Sequence, residues 1–275
     1  MTLRYPFVTF LSDYGLTDEF VGVCKGVILR IAPEVRIIDL SHDIKAQSVR
    51  EGALVLAQAV GYMPPAVHLG VVDPGVGSTR RGVAIETASD RWLVGPDNGL
   101  LIPAASRLGG IASVRELRNP DLMLAEPSRT FHGRDVFAPA AAHLAIGIDP
   151  ESFGPEIPAE RLEPLALPLP RRHESHYHAV ILHVDRFGNL QLNVRPEDLD
   201  GVGLQPGALL EVRIEGNRAV VRYGETFSSV PEGELVVNRD SHGLLTLAVN
   251  QGSAAYRLGV TAGSRVIVGA PGSAH

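Results

Sequence analysis

Four short segments place acids, amides and small residues directly after apolar runs: Ser12-Asp13-Tyr14-Gly15, Ser41-His42-Asp43, Asp73-Pro74-Gly75-Val76-Gly77 and Gly95-Pro96-Asp97-Asn98-Gly99. Side chains of these types offer hydrogen-bonding atoms to a small polar ligand. Asp13, after the first run, suits a ribose, because one carboxylate accepts from both sugar hydroxyls. No G-x-G-x-x-G follows that run and no G-x-x-x-x-G-K-[ST] occurs anywhere. A nucleoside held here is therefore expected to lack a phosphate tail.

Other segments carry reactive groups in less specific patterns. Thr130-Phe131-His132-Gly133-Arg134-Asp135 opens an Ala-rich stretch, where His132 could polarise a substrate, bind a metal or cap a helix. Arg80, after Gly77-Ser78-Thr79, reads locally as a surface arginine. Asp185-Arg186-Phe187-Gly188-Asn189 combines a carboxylate, an aromatic face and an amide, which fits adenine recognition and also fits a hairpin turn. Asp240-Ser241-His242-Gly243 and Asn250-Gln251-Gly252-Ser253 are further polar clusters. Asp13, His42, Asp43, Asp73, Asp97, His132 and Asp135 could in principle build a hydrolytic metal centre. No spacing among them matches a signature such as H-E-x-x-H, so the metal-free reading is preferred. His173, His176 and His178 read as solvated chain.

The elements that must position these groups change in kind along the chain. Through about residue 160, short β-branched runs (7–11, 35–40, 66–72, 82–86 and 92–94) alternate with helical periodicity. Phe20, Val23, Cys24, Val27 and Ile31 recur at helical spacing, with Pro33 closing the segment. Further helices are expected over 49–60 and 136–146. This is an α/β pattern with a largely parallel sheet, whose strand carboxyl ends form the ligand crevice, so the four loops are expected to converge. Three prolines within Pro164-Leu165-Ala166-Leu167-Pro168-Leu169-Pro170 break the pattern. Beyond them, runs at 178–184, 190–194, 209–214, 219–222, 244–249 and 265–268 are divided by turn residues, as in a compact barrel. The expected organisation is an α/β nucleoside-binding domain over 1–163, a Pro-rich linker over 164–172 and a smaller all-β, barrel-like domain over 173–275.

The chain has 275 residues, 25 Lys plus Arg against 31 Asp plus Glu, a formal net charge of −6 and a single cysteine, Cys24. That balance, with no Lys/Arg run, disfavours nucleic acid and anionic membranes as partners. A lone cysteine cannot form an intramolecular disulfide, and Met1-Thr2-Leu3-Arg4-Tyr5-Pro6 lacks the apolar core of an export signal, so a cytoplasmic setting is expected. No apolar stretch approaches the roughly 20 residues of a membrane-spanning helix.

Taken together and in order, Thr9-Phe10-Leu11-Ser12-Asp13-Tyr14-Gly15 with Asp18 and Lys25-Gly26, Ile38-Asp39-Leu40-Ser41-His42, Val72 to Gly77, Gly95 to Gly99, Phe131 to Asp135 and Asp185 to Asn189 resemble the S-adenosyl-L-methionine hydroxide adenosyltransferase (S-adenosylmethionine hydrolase) family. The fluorinases and chlorinases are related to it. The resemblance implies an N-terminal α/β domain, a C-terminal β-barrel, a homotrimer with sites at subunit interfaces, and metal-free attack of water or hydroxide on ribose C5′ to give adenosine and L-methionine. It requires no cofactor beyond the substrate. The family's Asp-Arg-His set maps onto Asp73, Arg80 and His132, which the halogenases have lost. By position, Asp13 holds the ribose hydroxyls, Phe187 and Phe227 flank the adenine, Asn189 meets its edge, Asp185 meets the methionine ammonium and Ser241 its carboxylate end, with Asn250 and Gln251 as further substrate contacts. The halogenases have arginine in place of His242 and tryptophan in place of Gln47. The alternatives are a halide-using or altered adenosyltransferase and a non-catalytic adenosine- or S-adenosylmethionine-binding protein.

Overall fold

The computed structural model describes residues 3–201 and 203–272. Met1 and Thr2 of the opening segment, Val202, and the last three residues of the expected barrel domain lie outside the described residues. The chain divides into two compact units, Met1–Ala166 and Leu167–His275.

The first unit is built on a six-stranded sheet of order β2-β1-β3-β5-β4-β6. Its strands are β1 (Phe7–Ser12), β2 (Arg36–Ser41), β3 (Val67–Val71), β4 (Gly82–Thr87), β5 (Trp92–Pro96) and β6 (Ile111–Glu116). The first four in that order are parallel, whereas β4 and β6 add antiparallel at one edge. Strand β6 was not evident in the sequence.

Helices α1 (Phe20–Ile31), α2 (Val49–Val60), α3 (Ile102–Arg107) and α4 (Ala138–Ala145) cover both faces. Strand alternation divides the core between them. Phe10, Leu69, Trp92 and Val94 pack with Cys24 and Ile28 of α1 and the alanines of α4. Leu11, Val83, Ile85 and Leu93 pack with Leu56 of α2 and Ala104 of α3. Burial on both faces explains the continuous apolar runs of β3 and β5.

The order β2-β1-β3 creates a switch point, because the chain leaves β1 toward one neighbour and returns on its other side. The crevice beyond the carboxyl ends of β1 and β3 is where an open α/β sheet binds ligands. Asp13 follows β1 and Asp73 closely follows β3, with Asp13 N–H donating to Val71 O at 3.4 Å.

In the second unit, β8 (His176–Val184), β9 (Leu190–Leu192), β10 (Leu209–Ile214), β11 (Asn217–Tyr223), β12 (Leu235–Arg239), β13 (Leu245–Val249) and β14 (Arg265–Gly269) close on themselves through a β14–β8 pairing. The short β7 (Arg171–His173) pairs with β8 outside this ring. Two short helices, α5 (Pro196–Asp200) and α6 (Ala254–Leu258), complete the unit. Its core is aliphatic, from Ile181, Leu192, Val212, Val237, Leu247 and Val268 among others. His173 and His178 are exposed and His176 partly so, as expected, but all three belong to the β7–β8 hairpin, with ring centroids 5.2–5.7 Å apart. The proline-rich approach packs against the barrel, where Asn193 donates to Pro168 O at 2.9 Å.

Glycines in the first unit test two opposite constraints. A Cβ on Gly95 would overlap the carbonyl oxygen of Gly70 on neighbouring β3, whereas one on Gly26, on the exposed side of α1, meets nothing within 4 Å. Gly95→Ala is expected to destabilise the protein by about 3 kcal/mol through overpacking. Gly26→Ala should stabilise it by about 0.5–1 kcal/mol through helix propensity. Urea unfolding monitored by circular dichroism checks both signs.

Candidate active site

The loop after β3 folds back on itself. Val76 N–H donates to Asp73 O, Ser78 N–H to Gly75 O, and Arg80 N–H to Ser78 Oγ at 3.2 Å. These turns aim the Arg80 side chain at Asp73. Arg80 Nε donates to Asp73 Oδ1 at 2.9 Å and Nη2 donates to Oδ2, a bidentate pair whose fork geometry favours arginine. The two side chains are only 11% and 7% exposed, so Arg80 is not the surface arginine that its local sequence suggests.

Arg80 Nη2 also donates to His132 Nδ1 at 2.8 Å. Arginine has no acceptor, so Nδ1 holds the lone pair and the ring proton resides on Nε2. The His132 pKa lies below the usual histidine value, first because the ring is half-buried and second because the Arg80 cation faces it. Phe137, fully buried, lies under the guanidinium with 5.1 Å from Cζ to the ring centroid.

His132 is held by its own segment. It opens the π-type turn Gly133–Phe137, which leads directly into α4, and its side chain does not cap that turn. Such widened turns often mark functional sites. Two glycines permit the approach: a Cβ on Gly133 would strike the Tyr14 hydroxyl, and one on Gly77, at φ 77°, would strike the carbonyl oxygen of Arg129. Tyr14 packs with Phe20 and Phe131, at centroid distances of 5.2–5.8 Å within the trio. Tyr14, Gly77, Gly133 and Phe137 are thus supports that sequence reasoning missed as such. Their contacts join positions far apart in the chain.

The four expected loops do share one sheet edge and are tied together. Gly15 N–H donates to His42 O, Gln47 N–H to Asp13 Oδ2 at 2.8 Å, and Asn98 Nδ2 to Val72 O at 2.9 Å. Their side chains separate into different jobs. Buried His42 bridges Ser12 Oγ at 2.8 Å and Asp39 Oδ1 at 3.0 Å. Asp97 pairs with Arg81 and accepts from Glu163 N. Asp135 pairs with Arg134 and accepts from Ser128 N. Among the described residues, no three His, Cys, Asp or Glu side chains are grouped so as to hold a metal ion.

Two polar segments of the second unit are Asx turns. Asp185 Oδ1 accepts from Phe187 N and Asn189 N, both at 2.9 Å, while Asn189 Nδ2 donates to Asp185 Oδ2 at 2.8 Å. Gly188, at φ 83°, has Ser253 directly against it, which seats the turn on the start of α6. The turn leaves Phe187 76% exposed. Asp240 repeats the device, accepting from His242 N and Leu244 N, and holds Ser241 exposed. Gln191 Nε2 donates to Asp240 Oδ2, so the second turn is tied to the strand that follows the first. Phe227 is 42% exposed on a separate short turn. Asn250 Nδ2 donates to Val230 O and Gln251 Nε2 to Glu232 Oε1, so both amides serve the barrel's own loops.

Known proteins show the same organisation. The family model described as SAM hydroxide adenosyltransferase N-terminal domain matches residues 8–154, and the corresponding C-terminal domain model matches residues 179–267. A Salinispora tropica protein named (R)-S-adenosyl-L-methionine hydrolase is 47% identical over 268 residues, covering 96% of this chain and 97% of that one. A fluorinase of Nocardia brasiliensis is more distant, at 28% identity over 96% of this chain and 97% of its own. The crystal structure of an uncharacterised conserved protein from Thermotoga maritima superposes with a TM-score of 0.89 at 36% identity, covering 95% of this chain and 99% of that one. Matched in both of its halves and along nearly its whole length, the chain belongs to the S-adenosyl-L-methionine hydroxide adenosyltransferase family.

Proposed function

We propose that this chain hydrolyses S-adenosyl-L-methionine to adenosine and L-methionine, with water or hydroxide attacking ribose C5′ from Asp73, Arg80 and His132. The observation that carries this reading is the nearly buried Asp73–Arg80 pair with His132 attached to it. Methionine departs as a neutral thioether and needs no proton, so the task is to supply and aim an oxygen nucleophile. Both Asp73 oxygens accept from Arg80, and each keeps lone-pair capacity for a water O–H. The His132 Nε2–H is a donor to the same oxygen and aims its free lone pair at C5′; where water rather than hydroxide attacks, the proton it sheds as the C5′–O bond forms passes to Asp73. With His132 neutral, the three side chains sum to zero charge and do not repel the sulfonium.

Asp13 at the switch point binds the ribose hydroxyls in this reading. Phe187 and Phe227 sandwich the adenine, and Asn189 bonds to its edge. Asp185 takes the methionine ammonium, Ser241 the carboxylate end, and Asn250 and Gln251 line the remainder. These residues come from both units, which fits a homotrimer with shared sites, working in the cytoplasm without metal or cofactor. Loss of the Asp-Arg-His set in the halogenases favours water over halide here. Sedimentation velocity checks the assembly, for which a monomer is the opposing result.

The purified protein with S-adenosyl-L-methionine is expected to yield equimolar adenosine and methionine on chromatography, unchanged by EDTA. Activity lost with EDTA would point to a metal, a 5′-halogenated nucleoside formed with chloride would point to halogenation, and binding without products would leave a binding protein. Asp73→Ala should reduce kcat by at least about 100-fold, in the range for a lost catalytic group, with substrate affinity by calorimetry within a few-fold.

The pH profile follows from the tautomer. Protonating His132 would place a second N–H against Arg80 and break the arrangement. Because its folded pKa is depressed below the usual 6.5, kcat/KM should stay level near neutrality and fall only as pH drops through that lower value. Native stability should fall in the same direction, since the unfolded chain binds the proton first. NMR titration of the His132 ring measures the pKa directly, and removing the cation with Arg80→Gln should raise it.

A further inference from the structure

The outer face of the barrel carries a charge pattern that the hydrolytic reading does not use. Tyr177, Ala179, Val266, Val268, Leu210 and Val212 point into the core, so strand alternation turns their neighbours outward. Register then aligns one row across five strands: Arg171 opposite His178, His178 opposite Ile267, Ile267 opposite Arg213, and Arg213 opposite Arg218. The adjacent row brings His173 opposite His176, and Arg265 stands opposite Val180.

Like charges directly opposite one another in a sheet are destabilising, and acids are the usual remedy. Here the remedy is partial. Buried Glu211 accepts from both Arg213 and Arg218, and Glu215 lies in the nearby turn. Among the described residues, Arg171 and Arg265 pair with no acid. The row borders a groove of about 1350 Å³, walled on one side by Leu167, Pro168, Leu169 and Pro170. On a chain of net charge −6, this is a local concentration of positive charge.

We propose that this groove binds a free phosphate chain, with Arg171 and Arg265 as its principal contacts and His173 and His178 beside them. From Arg171 on β7 to Arg265 on β14 the groove crosses two strand spacings, about 10 Å, which exceeds one phosphate and suits a chain of several. Arginine presents a fork matched to phosphate oxygens. The groove lining includes no Phe, Tyr or Trp among the described residues. Base stacking therefore has no platform here, which favours a free phosphate chain over single-stranded nucleic acid.

Isothermal titration of the full-length protein with inorganic tripolyphosphate, orthophosphate and a single-stranded oligonucleotide tests this. Tripolyphosphate should bind at least tenfold more tightly than orthophosphate. The double variant Arg171→Ala/Arg265→Ala should weaken that binding at least tenfold while S-adenosylmethionine hydrolysis and the melting temperature stay unchanged. Should that variant fold poorly, Arg171→Glu alone carries the same expectation. No tripolyphosphate binding by the unaltered protein, equal binding by a folded variant, equal affinity for orthophosphate, or tighter binding of the oligonucleotide would each overturn the proposal.

Discussion

The geometry of the active-site candidate depends on one ion pair held almost out of water. A guanidinium and a carboxylate at this depth each lose hydration, and the loss is offset only when geometry is good and the remaining hydrogen-bonding capacity is used. The bidentate contact meets the first condition, and the His132 Nδ1 acceptor engages a further Arg80 donor. Removing one partner of such a pair costs about 3–5 kcal/mol, because the other is left charged and uncompensated. Turns 73–80, the Gly77 approach and the Phe137 platform keep both partners in place.

The two units solve different positioning problems. The central strands of the first unit are buried on both faces, so its loops meet at an edge fixed by strand order, and the switch point brings Asp13 and Asp73 to neighbouring strand ends. The barrel has no such edge. It presents polar groups from Asx turns, in which Asp185 and Asp240 use their carboxylates on the backbone and thereby expose Phe187 and Ser241. The same hydrogen bonds draw on the capacity of Asp185 to meet a ligand.

Much of this was legible in the sequence, where local chemistry decides local structure. The helices at 20–31 and 49–60 announced themselves by period, and the buried runs of the first unit by β-branched content. Strands β6 and β12 did not. Ile111–Glu116 mixes apolar and polar residues at an antiparallel edge, and Leu235–Arg239 offers only three consecutive apolar residues. The hairpin at His173 and His176 was hidden because its outward face is polar and its inward residues are few. Arg80 shows the deeper limit: its burial follows from Asp73 seven positions away and His132 fifty-two positions away. Spacing alone does not reveal that pairing.

The tautomer of His132 narrows what the site can do. An imidazole whose Nδ1 already accepts from arginine has only Nε2–H to offer, so the ring cannot take a proton from water without breaking with Arg80. In the proposed mechanism that leaves Asp73 to accept a hydrogen bond from the nucleophile, while Arg80 and His132 supply donors. The set therefore works as an oriented dipole. In the proposed reaction the oxygen lone pair becomes the C5′–O bond while the C5′–S pair passes to sulfur, so negative charge on a hydroxide and positive charge on the sulfonium diminish together, and an attacking water gives its proton to Asp73. The two charges annihilate in the product, so a site from which water is excluded strengthens their attraction along the whole path. Burial of the His132 ring, with the Arg80 cation facing it, lowers its pKa, and the proposed displacement draws on the same low-dielectric surroundings.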